Sequence, residues 1–135
     1  MISFNYETDF NLDNEIKLSK WISFVISSEG FNEGEINYIY CDDEYLLNLN
    51  MEFLNHDTLT DIISFDYTLG KTIHGDIYIS IERVLDNANE FNVEFLEELH
   101  RVMVHGVLHY CGYNDKSKND IIQMREKENH YLNTL

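Results

Sequence analysis

The eleven residues from His105 to Asp115, HGVLHYCGYND, constrain this chain more than any other stretch. Positions i and i+4 of an α-helix stack one turn apart on one face, so His105 and His109 can aim both imidazoles at one point only if the segment is helical. Gly112, three residues on, can adopt the left-handed conformation that ends a helix, and the chain can then turn back to offer Asp115 as a third ligand. The stretch therefore asks for a long helix with a glycine stop, held still enough for three donors to meet on one metal ion. A plainer reading stays open. Two part-buried histidines could be satisfied by backbone carbonyls, with Gly112 a simple C-cap and Asp115 a loop residue or the cap of a following helix.

The skeleton H-x-x-x-H-x-x-G-x-x-D has the spacing of the zincin metal helix, but Gly106 stands where a zincin carries its general-base Glu. Metal geometry is expected and the peptidase base is absent. One Zn²⁺ per chain is the expected cofactor. Two His and one carboxylate also make the facial set of non-haem iron, so another divalent transition metal is an alternative.

The chain of 135 residues contains no proline, and no repeat or low-complexity tract marks a boundary, so residues 1–135 are expected to form one domain. That length buries about two-thirds of the unfolded surface without staples. The N-terminus lacks a basic segment followed by an apolar core, and no apolar run reaches a membrane span, which predicts a cytoplasmic protein. Cys41 and Cys111 suit a reducing compartment. Cys41 reads as core; Cys111 reads as a small buried hydrophobe, with a soft ligand as the alternative. A formal charge of −16 opposes non-specific nucleic-acid binding. Residues 1–60, however, hold twelve acids against Lys17 and Lys20, while Lys116, Lys118, Arg125 and Lys127 follow the metal stretch. With Arg101 one turn before His105, they could form a basic rim or simply a charge-mixed solvated face.

Periodicity predicts strands at 2–6, 35–41, 61–67 and 74–81, the last two joined as a hairpin through TLGKT. Helices are predicted from an Asp13 cap to Ser28, with Leu12, Ile16, Leu18, Trp21, Phe24 and Val25 inward, and then over 42–54, 82–91, 94–111 and from a Ser117 capping box to Asn133. The fold class is α+β: a small mixed four-stranded sheet covered by about five helices, one of them zincin-like. Leu96, Leu99, Met103, Val107 and Tyr110 should anchor the long helix on a side away from the histidines. Gly106, costing about 1 kcal/mol relative to Ala in a helix, implies a close helix or strand contact.

LNMEFLNHDTLTDIISFDY at 49–67, HGDIYIS at 74–80 and HGVLHYCGYND together resemble the YbeY family of bacterial metal-dependent endoribonucleases that mature ribosomal RNA, with Met124, Glu128 and Leu132 similar to its C-terminal helix. The resemblance implies a metal-activated water that cleaves RNA phosphodiesters, with ribosomal RNA precursor and the ribosome or its proteins as partners; neither DNA nor membrane is expected. Metal ligands would be His105, His109 and Asp115. Asp115 stands where the family has His, Leu54 where it has Arg, and Leu59 where it has Pro. The phosphate-neutralising task would then pass to Arg101, Lys116 or His56. No general base is assigned: Glu98 and Asp76 are conceivable and read better as structural, as do Thr60, Asp61 and Ser64. His74 is a further residue that could line the cleft, while His100 and His130 are expected on the surface. The alternative function is a non-catalytic ribosome-assembly or RNA-binding factor with a structural metal; a metallopeptidase is a third, disfavoured by Gly106.

Overall fold

Apolar residues alternate along β2 (Asn32–Cys41) and β4 (Thr72–Ser80), so Ile36, Tyr38 and Tyr40 of one and Ile73, Ile77 and Ile79 of the other point to one fully buried face. These strands pair in parallel. β1 (Ile2–Tyr6) adds in parallel beside β2, and β3 (Ile62–Asp66) pairs antiparallel with β4, giving the order β1-β2-β4-β3. The computed structural model describes residues 1–55 and 59–135. A parallel pair needs a crossover, and α1 (Glu15–Ser28) provides it between β1 and β2. β3 and β4 form the expected hairpin, its turn closed by the Leu69–Thr72 bridge with Gly70 at φ +59°.

The other helices are α2 (Asp43–Phe53), α3 (Ile81–Phe91), α4 (Phe95–Tyr110) and α5 (Lys118–Leu132). α1, α4 and α5 bury Ile22, Val25, Leu99, Met103, Val107 and Tyr131 with the tyrosines and isoleucines of the sheet. The opposite sheet face carries a smaller cluster, in which Leu46 of α2 meets Cys41 and Ile63. Each fully buried aliphatic or aromatic side chain contributes about 1.5–3 kcal/mol, so the larger layer dominates and α4 is fixed within it.

Local signals set several ends. Asp42 caps α2 by accepting from Tyr45 N at 2.8 Å, and Ser117 with Asp120 forms both bonds of a capping box on α5. Other expectations need correction. α1 is capped by Asn14, without a side-chain bond, and not by Asp13. Its inward stripe is Leu18, Trp21, Ile22, Val25 and Ile26, leaving Ile16 74% and Phe24 50% exposed. Ile16 lies two residues before Leu18, about 200° round the helix, and therefore faces out. Leu96, in the first turn of α4, is 54% exposed. β2 begins at Asn32, three residues early, because a register shift between Glu33 and Ile36 extends its pairing with β4.

Candidate metal centre

α4 is amphipathic in the sense the site needs. Leu99, Val102, Met103, Val107 and Tyr110 are buried in the core, while His105 and His109 are only part-buried. Tyr38 Oη donates to the carbonyl of Met103 at 2.8 Å, and Tyr110 Oη donates to the carbonyls of Phe65 at 3.0 Å and Asp76 at 3.2 Å, pinning the helix to the sheet at two heights. At Gly106 a Cβ would lie 3.1 Å from the Cδ1 atoms of both Ile62 and Ile77. This is the close helix-to-strand approach that glycine permits. The helix ends as expected, with Gly112 at φ +100° and Tyr113 N donating to Leu108 O at 3.1 Å.

That stop returns the chain to the histidines. His105 Nε2 and His109 Nε2 are 3.0 Å apart, and Asp115 Oδ2 lies 3.7 Å from the first and 3.3 Å from the second. Bonds of about 2.0–2.1 Å in a tetrahedral shell put ligand atoms about 3.3–3.4 Å apart. The observed triangle fits that edge. Among the described residues these three form the group able to hold a metal, with ligand atoms within 4.8 Å of one another. Asp115 is exposed, so its corner of the triangle meets solvent.

The orienting residue is Glu128, in α5. Its Oε2 lies 2.7 Å from His105 Nδ1, and its Oε1 accepts from Arg101 at 3.0 Å. Burial alone would raise this carboxyl, but the bonds from His105 and Arg101 outweigh it and hold the group below the usual carboxylate range. A carboxylate on Nδ1 keeps the proton there and directs the Nε2 lone pair to the ligand triangle. Sequence reasoning placed Glu128 only as part of a terminal helix. The available signal was an acid in the buried stripe Met124, Glu128, Tyr131.

The basic rim forms only in part. Arg101 is engaged with Glu128, Lys127 turns away to Glu29 at 3.2 Å, and Arg125, though exposed, lies 3.7 Å from Glu128 Oε1, while Lys116 and Lys118 are exposed. Leu54 is exposed as well, and His56 lies outside the described residues. His74 is occupied elsewhere: its Nδ1 accepts from Glu35 N at 3.0 Å, tying β4 to β2. Asp76 accepts from Asn37 Nδ2 at 3.0 Å, a structural bond, and the carbonyl of Asp61 accepts from Ser80 N at 3.0 Å. Thr60 Oγ1 donates to Ile62 O at 3.4 Å, while Ser64 is exposed. Cys111 is outside the ligand group, and burial pushes its thiol up to about 12, so it stays protonated. His100 is part-buried against the Trp21 ring, which lowers its pKa by desolvation; the expectation of full exposure holds for His130 alone.

With this geometry in place, similarity to known proteins becomes informative. The family model described as Endoribonuclease YbeY matches residues 3–135. The chain belongs to the YbeY family. An Endoribonuclease YbeY from Flavobacterium johnsoniae is 67% identical over 95% of this chain and 92% of its own length. One from Flavobacterium psychrophilum is 65% identical over 98% and 94%. The solution structure of a Thermotoga maritima protein superposes with a TM-score of 0.72 at 29% identity, covering 98% of this chain and 87% of that one. The YbeY fold is thus an α+β domain whose sheet holds the α4 histidines in place. Among the described residues no helix is long and apolar enough to cross a membrane.

Proposed function

We propose that this chain is a zinc-dependent endoribonuclease that cleaves single-stranded regions of ribosomal RNA precursor, working as one domain over residues 1–135. The observation that carries the reading is the triangle of His105 Nε2, His109 Nε2 and Asp115 Oδ2, with its Asp115 corner exposed. Its relatives bear the name endoribonuclease over nearly the whole chain. When bound, the metal supplies Lewis-acid polarisation of a phosphoryl oxygen and of water. His105, His109 and Asp115 hold it, and Glu128 keeps the His105 proton on Nδ1. Asp115 brings a negative charge to the ligand set, so the centre is less electrophilic than three imidazoles would make it. Lys116, exposed beside Asp115, is the nearer candidate for a phosphate contact, because Arg101 is engaged with Glu128.

The test uses protein purified without a histidine tag. Bound metal is measured, and cleavage of a single-stranded RNA is compared with His109→Ala. About one metal ion per chain and loss of cleavage in the variant are expected; unchanged cleavage removes the reading. A second reading, a ribosome-assembly factor with a structural metal, draws on the charge of −16 and on the exposed Leu54. It expects chelation to lower the melting temperature while RNA binding persists without turnover. Peptide hydrolysis has the weakest support, since Gly106 offers no proton acceptor.

A further inference from the structure

A cavity of about 240 Å³ opens beside His105, between α3, α4, α5 and the start of β3. It is smaller than the roughly 300–1,000 Å³ of sites for drug-sized ligands and suits a single ring system. Ile62 and Val102 give it apolar walls, and the exposed Phe91 and Arg125 stand at its rim. Its buried end holds carboxyl groups that differ in one respect. Glu128 is bonded to His105 and Arg101, and Asp61 accepts from Asn87 at 3.4 Å. Glu98 is only 7% exposed and, among the described residues, receives no hydrogen bond from a side chain or the backbone, while its oxygens keep contact with solvent. A carboxyl so deeply placed and served by water alone is poorly solvated, and burial with the nearby Asp61 charge raises its pKa against the pull of Arg101 and Arg125.

A ligand that displaces water from this end must therefore bring a hydrogen-bond donor to Glu98. Phosphate is unsuitable, because Glu98, Asp61 and Glu128 repel it. A second metal is unsuitable too, since these three carboxyls do not bring their oxygens together as a ligand group. A flat ring with donors on one edge and acceptors on another fits the apolar walls, the carboxylate and the guanidinium of Arg125. Guanine is the base with two adjacent donors, N1–H and the N2 amino group, on its pairing edge, and its O6 and N7 are acceptors for Arg. Single-stranded RNA can splay out such a base.

We propose that this cavity is a guanine pocket, taking the base of a nucleotide next to the phosphodiester presented to His105, His109 and Asp115, with Glu98 accepting from N1–H and N2–H. The choice of ligand rests on the endoribonuclease reading. Because His105 lines both the cavity and the metal triangle, a base held here brings its own backbone to the metal.

The test titrates the full, metal-free chain with GMP, IMP, AMP and UMP, followed by amide resonances. GMP is expected to bind about tenfold more tightly than IMP, which lacks the N2 amino group, with shifts at Asp61, Glu98 and Val102. Glu98→Gln should reduce the GMP preference about tenfold. Arg125→Met, which removes the rim guanidinium together with its 3.7 Å ion pair to Glu128, should also weaken GMP binding. Equal binding of the four nucleotides, shifts confined to other surfaces, or wild-type GMP binding in both variants overturns the pocket. A second arm adds metal-loaded chain to uridine-rich RNA containing one guanosine. Cuts at a fixed offset from the guanosine support the pocket. Cuts indifferent to it overturn the pocket and leave the endoribonuclease reading standing, whereas GMP binding without any cleavage does the reverse.

Discussion

Glu128 Oε2 lies 2.7 Å from His105 Nδ1, joining α5 to α4 across 23 residues of chain. One bond thereby decides which nitrogen of His105 faces His109 and Asp115. The same carboxylate holds Arg101 at 3.0 Å, so the unit runs Arg101, Glu128, His105 and then the ligand triangle. The C-terminal helix is thus part of the site although it supplies no ligand.

Breaking that bond should loosen the metal without removing a ligand. Losing an outer carboxylate typically costs 10–100-fold in metal affinity, and Glu128→Ala is expected to fall within about that range in competition with a chelating dye. Nitrogen NMR of the metal-free protein should show His105 protonated on Nδ1 in the wild type and a mixture of tautomers in the variant. Unchanged affinity and tautomer would leave Glu128 a purely structural acid.

Asp115 is the exposed member of the triangle and the one that departs from the His expected at its position. Asp115→Ala removes one of three ligands and should weaken zinc binding at least about tenfold. Asp115→His restores a three-imidazole set and should retain about one zinc per chain while raising cleavage, because the set no longer adds negative charge. Zinc binding that is equal in the wild type and Asp115→Ala would remove Asp115 from the ligand set.

The meeting of these three side chains was readable because their spacing is local. His105, His109, Gly112 and Asp115 lie within eleven residues, and helical geometry with one left-handed glycine brings them together. Strand and hairpin signals were equally local, which made the mixed sheet legible. What could not be read were contacts across the chain. Arg101 looked like a free rim cation, and only the packing of α4 on α5 places it on Glu128. Lys127 likewise goes to Glu29, 98 residues away. The exposed Ile16 and Phe24 show a further limit: an apolar residue one position off a helix stripe is not distinguished by composition, and the sheet decides which stripe faces inward.

Two glycines where α4 meets the sheet, Gly75 of β4 and Gly106 of α4 itself, should respond differently to the same added methyl. At Gly75 a Cβ would overlap the Tyr110 ring, whose hydroxyl donates to Phe65 O and Asp76 O. Gly75→Ala should therefore cost about 2–3 kcal/mol in urea unfolding, as overpacking does. At Gly106 the neighbours are isoleucine methyls at 3.1 Å, and the crowding is offset by about 1 kcal/mol of helix propensity. Gly106→Ala should change stability by less than about 1 kcal/mol. If it proves the more damaging of the two, the assignment of Tyr110 as a pin of the helix fails.

Acid sensitivity should centre on Glu29, just past the end of α1. Its part-buried carboxylate accepts from Tyr113 Oη at 2.6 Å, from Lys127 Nζ at 3.2 Å and from Tyr131 Oη, tying α1 to the loop after α4 and to α5. Burial would raise its pKa, but the three donors outweigh burial and lower it. A carboxyl with a depressed folded pKa adds stability that is complete above its unfolded value, about 4.3, and is lost as pH falls through the folded value. Glu29→Gln should thus be about 2 kcal/mol less stable than the wild type at pH 7, the usual scale for charge-assisted bonds. Urea midpoints measured from pH 7 down to pH 3 should converge at the acid end, because the wild type loses there what the variant never had. A constant gap across the range would mean that Glu29 stabilises by packing, and its charge would then play no part in joining the helices.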